Sequence, residues 1–577
     1  MSGLLLPALR GGMVALQLAP RLVGALAAAN PAPAPAAPGQ GLPGQGLPGQ
    51  GLPGQGLPGQ GVPGQGLPSR TPAPAPVSAD LPEVLLSFVV WLTALLALVI
   101  VLLPERTAEQ RNRIRVAAGA GAGGSFLIAL GALFDQVRQD SLGGSPGSYE
   151  ERHAWLTGLP IHTDYHLAVD GISLPLLTCT TLVFLVAVAA SCRLQARTRL
   201  FFAMLLLLDT GVSGMLSAAD GLLLVLFVGL QLVPLATLLT IYGGPGAGRA
   251  ARHYLAQAGL GVVLLLVAIT LVATRAGQGS TDLTSLTSSG GGVAKAGFWL
   301  SLAAAGLLLG VVPLHGWVVD VLEHAPAGVA AAVGGAVLST GAYCLLRITI
   351  PLFGGLAWHY SLVIVTVAVL TTVYATVATL RQRTVRRLAA YTAVSHTGLV
   401  LLALGAQSTV ALVGAVVALI ANGLVVAMAQ LLAGQVEERA RTGVLDALGG
   451  LGRRAPRLAG LWLLAGLSGV GVPLLAGFTG ELLVVTGAFP VHRIATTVVV
   501  AALLVSTGWL LWTVQRVFSG QAREAFDRVR DVGTFELWQH VPLAAAVVAW
   551  GVVPGRVLPM IGNGVISGIV THLGGRG

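Results

Sequence analysis

Residues 310–326 read GVVPLHGWVVDVLEHAP, and they place His315, Asp320, Glu323 and His324 just after Pro313 in a chain with only 10% charged residues. Groups of these types can take up and release protons, so the stretch reads as a proton funnel or a partner contact. The alternative is a solvated turn in which Asp320 or Glu323 sits near a helix N-terminus, where negative charge is favoured. Three more such groups stand inside apolar runs: Asp209 in LLLLDTG, His396 in AVSHTG and Glu481 in GFTGELL. A charge at the centre of a bilayer costs roughly 2.5 to 3.5 kcal/mol or more, so each is expected to carry protons or to be paired structurally. His153, His162 and His166 share no metal-ligand spacing and are expected at the surface of a loop spanning 135–171. Cys179, Cys192 and Cys344 lie far apart in or beside apolar runs, without a C-x-x-C pair, and read as small core residues with no redox centre.

The elements that must position these groups follow from solvation by lipid. With 54% hydrophobic residues and a mean hydropathy of +0.81, the chain is too apolar for a soluble domain. Apolar runs of about 20 residues, enough to cross a hydrocarbon core, recur from Leu81 to Ile561. The expected fold is all-α: a polytopic membrane domain over 81–561 with about fourteen helices. Its fifth span is placed at 221–241, the seventh at 296–314, the twelfth at 458–486 and the last at 539–561. Residues 562–577 form a short tail. Residues 1–80 form a Pro/Gly-rich extension, uncharged through its five-residue GLPGQ units, read as disordered because a collagen helix needs glycine at every third position. Its first 30 residues resemble a signal-like or amphipathic element only weakly.

The net charge of +10 comes from arginine, since Lys295 is the one lysine. The arginines do not gather in one exposed segment, as a nucleic-acid surface requires. They fall in alternate short connections, among them Arg193, Arg197 and Arg199, then Arg381, Arg383, Arg386 and Arg387, then Arg516, Arg523, Arg528 and Arg530. This positive-inside pattern makes the helix number even and leaves both termini, with the N-terminal extension, on the outer side of a bacterial plasma membrane.

Two spans are interrupted alike: the seventh by Pro313, the twelfth by Pro473 among glycines. Proline removes a helical hydrogen bond, and freed backbone groups in lipid survive only if buried in protein or beside water. Breaks five spans apart match two inverted five-helix repeats with the breaks on an ion pathway; duplicated kinks for packing are the simpler reading.

Several motifs in order then resemble one family. VDGISLPLL at 169–177, LHGWVVDVLEHAPAGVAAAVGG from 314, VRRLAAYTAVSHTG at 385–398 and GVPLLAGFTGELLVVTGAF at 471–489 are similar to stretches of the proton-antiporter-like membrane subunits of respiratory NADH:quinone oxidoreductase (complex I), most nearly the chain M or mitochondrial subunit 4 type. The resemblance implies a membrane-arm subunit that passes protons when quinone is reduced, with other membrane-arm subunits as partners. It implies that NADH, FMN, iron–sulfur clusters and quinone belong to partner subunits, with no cofactor here. It also assigns proton-path roles to Glu481, Asp209, His396 and His315.

Departures from the family pattern fall on the same path. The family's fifth-helix glutamate is Gly229, the lysines of its seventh and eighth helices are Leu308 and Ser339, and an eleventh-span histidine is Asn422. Gln231 is two positions from Gly229 and so on another helix face. Because none of these substitutes titrates near neutrality, the first half is expected to be impaired as a pump. Two rival readings remain open: a subunit of a monovalent cation/proton antiporter or membrane-bound hydrogenase, and a structural spacer that moves no ions.

Overall fold

The computed structural model describes residues 84–141, 149–156, 163–275, 279–286, 290–520, 526, 529–565 and 569. The N-terminal extension and His162 therefore lie outside the described residues.

Twelve described helices are long and apolar enough to cross a membrane. In chain order the helices are α1 (Leu85–Leu102), α2 (Ala108–Ser141), α3 (Ser173–Ala190), α4 (Thr198–Ser217), α5 (Gly221–Leu230), α6 (Leu232–Tyr242), α7 (Ala247–Arg275), α8 (Gly291–Leu309) and α9 (Gly316–His324). There follow α10 (Ala327–Leu352), α11 (Gly354–His359), α12 (Ser361–Thr379), α13 (Val385–Ala406), α14 (Thr409–Ala440), α15 (Pro456–Gly469), α16 (Ala476–Ala488), α17 (Arg493–Phe518), α18 (Thr534–Val552) and α19 (Leu558–Val565). Beside these twelve stand the broken pair α15 and α16 and the helix α18, which carries Glu536, Gln539 and His540 and takes the place of the last expected span.

Burial separates core from rim. The apolar stretch of α13 is wholly buried and that of α14 89% buried, whereas those of α1, α2 and α7 are 33% buried and that of α17 27%. The rim helices expose Leu95, Leu98, Leu102, Leu127, Leu260 and Leu504, a display that only lipid or a partner chain can solvate. Close seams rest on glycine: a Cβ on Gly480 would fall 2.8 Å from the Ala418 backbone, and one on Gly487 2.2 Å from that of Ala411, so α16 lies directly against α14.

The arginine-bearing connections do meet on one face. Arg193 pairs with Glu536 at 2.6 Å, Arg387 with Glu323 at 3.0 Å and Arg386 with Glu437 at 2.5 Å; Arg516 pairs with Asp446, and the Arg199 amide donates to Glu105 at 2.8 Å.

Several expectations change. The seventh span ends at Leu309, not 314, because Gly310 adopts φ +69° and Pro313 cannot continue the helix; the chain resumes as α9. The twelfth span parts into α15 and α16 around Gly471 (φ +73°), Pro473 and Leu474 (φ +75°). Since α8 runs toward the arginine-rich face and α15 away from it, the two broken spans cross in opposite directions. The fifth span is also interrupted, at Gln231, between α5 and α6. Within α10 two π-helical turns, Val333–Val337 and Leu345–Thr349, widen the helix. The last span ends at Val552 rather than 561, and α19 folds back to pack beside Gly171.

The fold is not purely helical. Tyr149–Leu156 (β1) and Thr163–Val169 (β2) pair antiparallel on the face opposite the arginines.

Candidate functional site

Each helix break frees backbone groups, and nearby side chains take them up. At the seventh-span break, Trp317 Nε1 donates to the Leu307 carbonyl at 2.9 Å and the Val312 amide donates to Thr371 Oγ1 at 3.1 Å. At the twelfth, the Gly469 carbonyl ends α15 without an onward helical partner and faces His396 Nε2 at 3.1 Å. Glu481 reaches back from α16 into this break: a Cβ on Gly471 would meet its Oε2 at 2.2 Å, so only glycine leaves room for the carboxylate. His396 Nε2 stands 3.8 Å from Glu481 Oε1. The other ring nitrogen, Nδ1, faces the Thr392 carbonyl at 2.9 Å. Carbonyl oxygens only accept, so a neutral ring serves one of them and the imidazolium serves both.

Glu481 also separates two cavities. One, of about 30 Å³, is lined by Thr392, His396, Asn422, Ser468, Gly469 and Glu481. The other, of about 50 Å³, is lined by Leu399, Val470, Glu481, Val485, Val500 and Leu503. Either exceeds the roughly 10–15 Å³ that admits one water. The structure thus brings His396, Asn422 and Glu481 together, with Pro473 in the break that opens the space.

The first half is organised differently. Asp209 is fully buried in α4; Ser213 donates to its Oδ1 at 3.0 Å, while Oδ2 has no partner among the described residues. Gln231, 2% exposed, donates from Nε2 to the Gly211 carbonyl at 3.3 Å and accepts from Thr340 Oγ1 at 3.2 Å. The joint between α5 and α6 is thereby tied to α4 and α10. Gly229 and Gln231 do point apart, since a Cβ on Gly229 would approach Val262 of α7 at 3.7 Å. Yet Gln231, not position 229, supplies the buried polar contact of the fifth span, a signal visible in VGLQLVP as the one polar side chain of an apolar run. Leu308 packs in an apolar seam against Gly261. Ser339 returns its hydroxyl to the Ala336 carbonyl at 2.7 Å, closing its chemistry within α10.

The residues of the opening motif part company. Asp320 accepts from or pairs with His253 Nδ1 at 2.9 Å, Glu323 pairs with Arg387, and His324 Nδ1 faces the Asp320 carbonyl at 2.8 Å. Neither carboxylate caps a helix: α10 begins after Pro326 with no side-chain cap. His253 and Arg387 across the turn hold them instead. His315 is stacked edge-on to Tyr374, with ring centroids 4.9 Å apart, and its Nδ1 has no partner among the described residues.

On the opposite face His166 corrects the surface reading. It is 1% exposed, because β2 turns it inward. Its Nε2 lies 2.9 Å from Glu150 and its Nδ1 3.3 Å from Asp282, which Arg152 also meets at 3.0 Å. Burial pulls the imidazole pKa down, but the Asp282 carboxylate outweighs it and holds it above its ordinary value. Burial likewise works against ionised Asp282, and His166 with Thr284 overrides it, to about 2. β2 buries Thr163, Leu167 and Val169 on one face and His166 on the other, so both faces are partly covered, and reading the segment as a plain loop passes this over. Nearby, Asp170 caps α3 and pairs with Arg347 at the end of α10; burial raises its pKa, and the guanidinium more than reverses this, holding it below the usual carboxylate range.

Comparison with known proteins gives three findings. A family profile described as NADH:quinone oxidoreductase/Mrp antiporter, TM, matches residues 218–506. The NAD(P)H-quinone oxidoreductase chain 4 1 of Synechococcus sp. (strain JA-3-3Ab) is 31% identical over 444 residues, 75% of this chain and 82% of its own length; the NADH-quinone oxidoreductase subunit M of Rhodobacter capsulatus is 28% identical over 460 residues, 76% and 87%. A chain of respiratory complex I from Thermus thermophilus superposes with a TM-score of 0.75 at 23% identity, over 83% of this chain and 99% of that one; a chain of the Mrp complex from Dietzia sp. DQ12-45-1b gives 0.74 at 20%, over 86% and 98%.

Proposed function

This chain belongs to the NADH:quinone oxidoreductase/Mrp antiporter transmembrane family, and on that premise we propose that it is a chain M-type membrane-arm subunit of NADH:quinone oxidoreductase that translocates protons as electrons pass to quinone. The observation that carries the reading is the His396–Glu481 pair, 3.8 Å apart in the opened twelfth span with a water-sized cavity on either side of the carboxylate. A proton held between these groups can leave one for the other without crossing lipid. The ring shuttles between the Thr392 and Gly469 carbonyls and the cavity, and Glu481 alternates between the two cavities.

In this reading the arginine-rich face is cytoplasmic, in a bacterial plasma membrane, and the hairpin and the 1–80 extension lie outside. NADH, FMN, iron–sulfur clusters and quinone are held by partner subunits. Asp209 is a proton carrier of the first half. Gly229, Leu308 and Ser339 leave the family's glutamate and two lysine positions of that half without a titratable group, so it conducts less well than the second. The family also contains cation/proton antiporter subunits; the names of the 28–31% identical relatives favour the oxidoreductase reading.

The test is NADH-driven proton uptake per electron in inside-out vesicles containing the complex. Glu481→Gln lowers the yield while the complex assembles and oxidises NADH. An unchanged yield from the assembled variant refutes the proposal and leaves a spacer that moves no ions; uptake driven by a sodium gradient without NADH points to the antiporter reading.

A further inference from the structure

Beside the cavities around Glu481, the arginine-rich face holds a larger cleft of about 430 Å³, lined by Arg193, Arg386, Gln435, Glu437, Glu536 and Gln539 among others. It opens between the ends of α3 and α14 and the starts of α10, α13 and α18. Its arginines are already engaged: Arg193 and, behind the cleft, Arg439 both hold Glu536, and Arg386 holds Glu437. Charge in the cleft is thus matched locally, which disfavours a phosphate or lipid headgroup and suits water.

Polar side chains lead inward from it without partners. Gln435 Oε1 is buried and unpartnered among the described residues. Five residues before it on α14, about 7.5 Å deeper at roughly 1.5 Å per residue, Gln430 is fully buried and neither atom of its amide is hydrogen-bonded. Four residues after Glu536 on α18, about 6 Å deeper by the same rise, His540 is fully buried and neither ring nitrogen is hydrogen-bonded. α14 and α18 pack together, so the two orphaned groups lie at similar depth below one cleft. Leaving a buried polar group unpaired is costly, and such groups in native proteins are generally served by water. On its far side Gln430 adjoins Ala429, which with Asn422, Val425 and Val426 lines the cavity of His396 and Glu481. α14 therefore borders the cleft at one end and the central cavity at the other, with Gln430 between.

We propose that the second half of this chain takes up protons directly from the cleft at Arg193, Gln435 and Glu536, with Gln430 holding water along α14 and His540 relaying protons toward the His396–Glu481 cavity. The imidazole accepts a proton from the cleft at one nitrogen and releases one at the other, so no charge remains on the ring after a transfer. This rests on the proton-translocating reading above, and it supplies the second half with its own route from the arginine-rich face, independent of the depleted first half.

The experiment uses the assembled complex with Cys179, Cys192 and Cys344 replaced by serine and either His540→Cys or Gln430→Cys introduced. A small cationic methanethiosulfonate applied from the arginine-rich side modifies both at least tenfold faster than from the hairpin side. No modification, or equal rates from both sides, overturns the route whatever the complex pumps. His540→Phe and Gln430→Leu are then compared with Glu481→Gln in NADH-driven proton uptake. The proposal expects all three to lower the yield. Normal yields in the first two with a reduced yield in Glu481→Gln overturn the relay, and a normal yield in Glu481→Gln overturns the proposed function while the labelling still decides the water route.

Discussion

Restoring two of the titratable groups missing from the first half is the sharpest perturbation of the proposed function. Gly229→Glu enters a seam with room, since its Cβ would make only an ordinary contact with Val262 at 3.7 Å. Leu308→Lys starts from a side chain 5% exposed that rests against Gly261, the next residue on α7. Both new side chains thus border the same turn of α7. A single unpaired charge at the bilayer centre costs roughly 2.5–3.5 kcal/mol, so either variant alone should lower the amount of assembled complex by about two decades at 1.4 kcal/mol per tenfold. If the two charges meet, Coulomb attraction at about 4 Å and an effective dielectric near 20 returns about 4 kcal/mol. The double variant should therefore assemble better than either single one, with a coupling of about 2–4 kcal/mol by thermal unfolding of purified complex. It should also raise proton uptake per electron in inside-out vesicles. Additive losses would refute the shared seam, and an assembled double variant with unchanged uptake would refute the claim that the missing groups limit the first half.

Three further outcomes are expected. A Gln231→Leu/Thr340→Val double-mutant cycle should show a coupling of about 0.6 kcal/mol, at most near 1.7, as interhelical hydrogen bonds in membranes do; zero coupling by thermal unfolding would place Gln231 elsewhere. The contribution of His166 to hairpin docking is complete below its ordinary value of 6.5 and is lost as pH rises through its raised folded value, while that of Asp282 is complete above the ordinary 3.8 and is lost as pH falls through about 2. Amide protection of residues 163–169, corrected for intrinsic exchange, should therefore weaken as pH rises above the ordinary imidazole value of 6.5, and His166→Gln should abolish that dependence. Gly480→Val must push α14 from α16, because its Cβ falls 2.8 Å from Ala418 Cα, whereas Gly119→Ala meets nothing within 4 Å; the first should lose about 1–3 kcal/mol of stability and the second none.

Much of the site was legible in sequence because lipid is a demanding solvent. His396 and Glu481 stood out as ionisable groups in apolar runs, and Pro313 and Pro473 as breaks that lipid would not tolerate without compensation. Less legible were Gln231, Gln430 and His540. Each belongs to a span apolar nearly all round, so although Gln231 is visible as a lone polar residue, no amphipathic stripe tells which way the side chain points. His166 was misread because a hairpin inside a long connection brings Thr163 and His166 against Thr281 and Asp282, partners far away in the chain.

The linear chain alone determined the membrane class, that the arginine-bearing connections share one face, the positions of the broken spans and the family, because each depends on local solvation cost or on motifs read in order. Only the packed structure decided that Gly469 offers its carbonyl to His396, that Gly471 makes room for Glu481, and that Gln231 ties α4 to α10. These contacts depend on which helix faces approach, and that is set by close fits at small residues such as Gly414, Gly480 and Gly487 rather than by any periodicity of polarity along a helix.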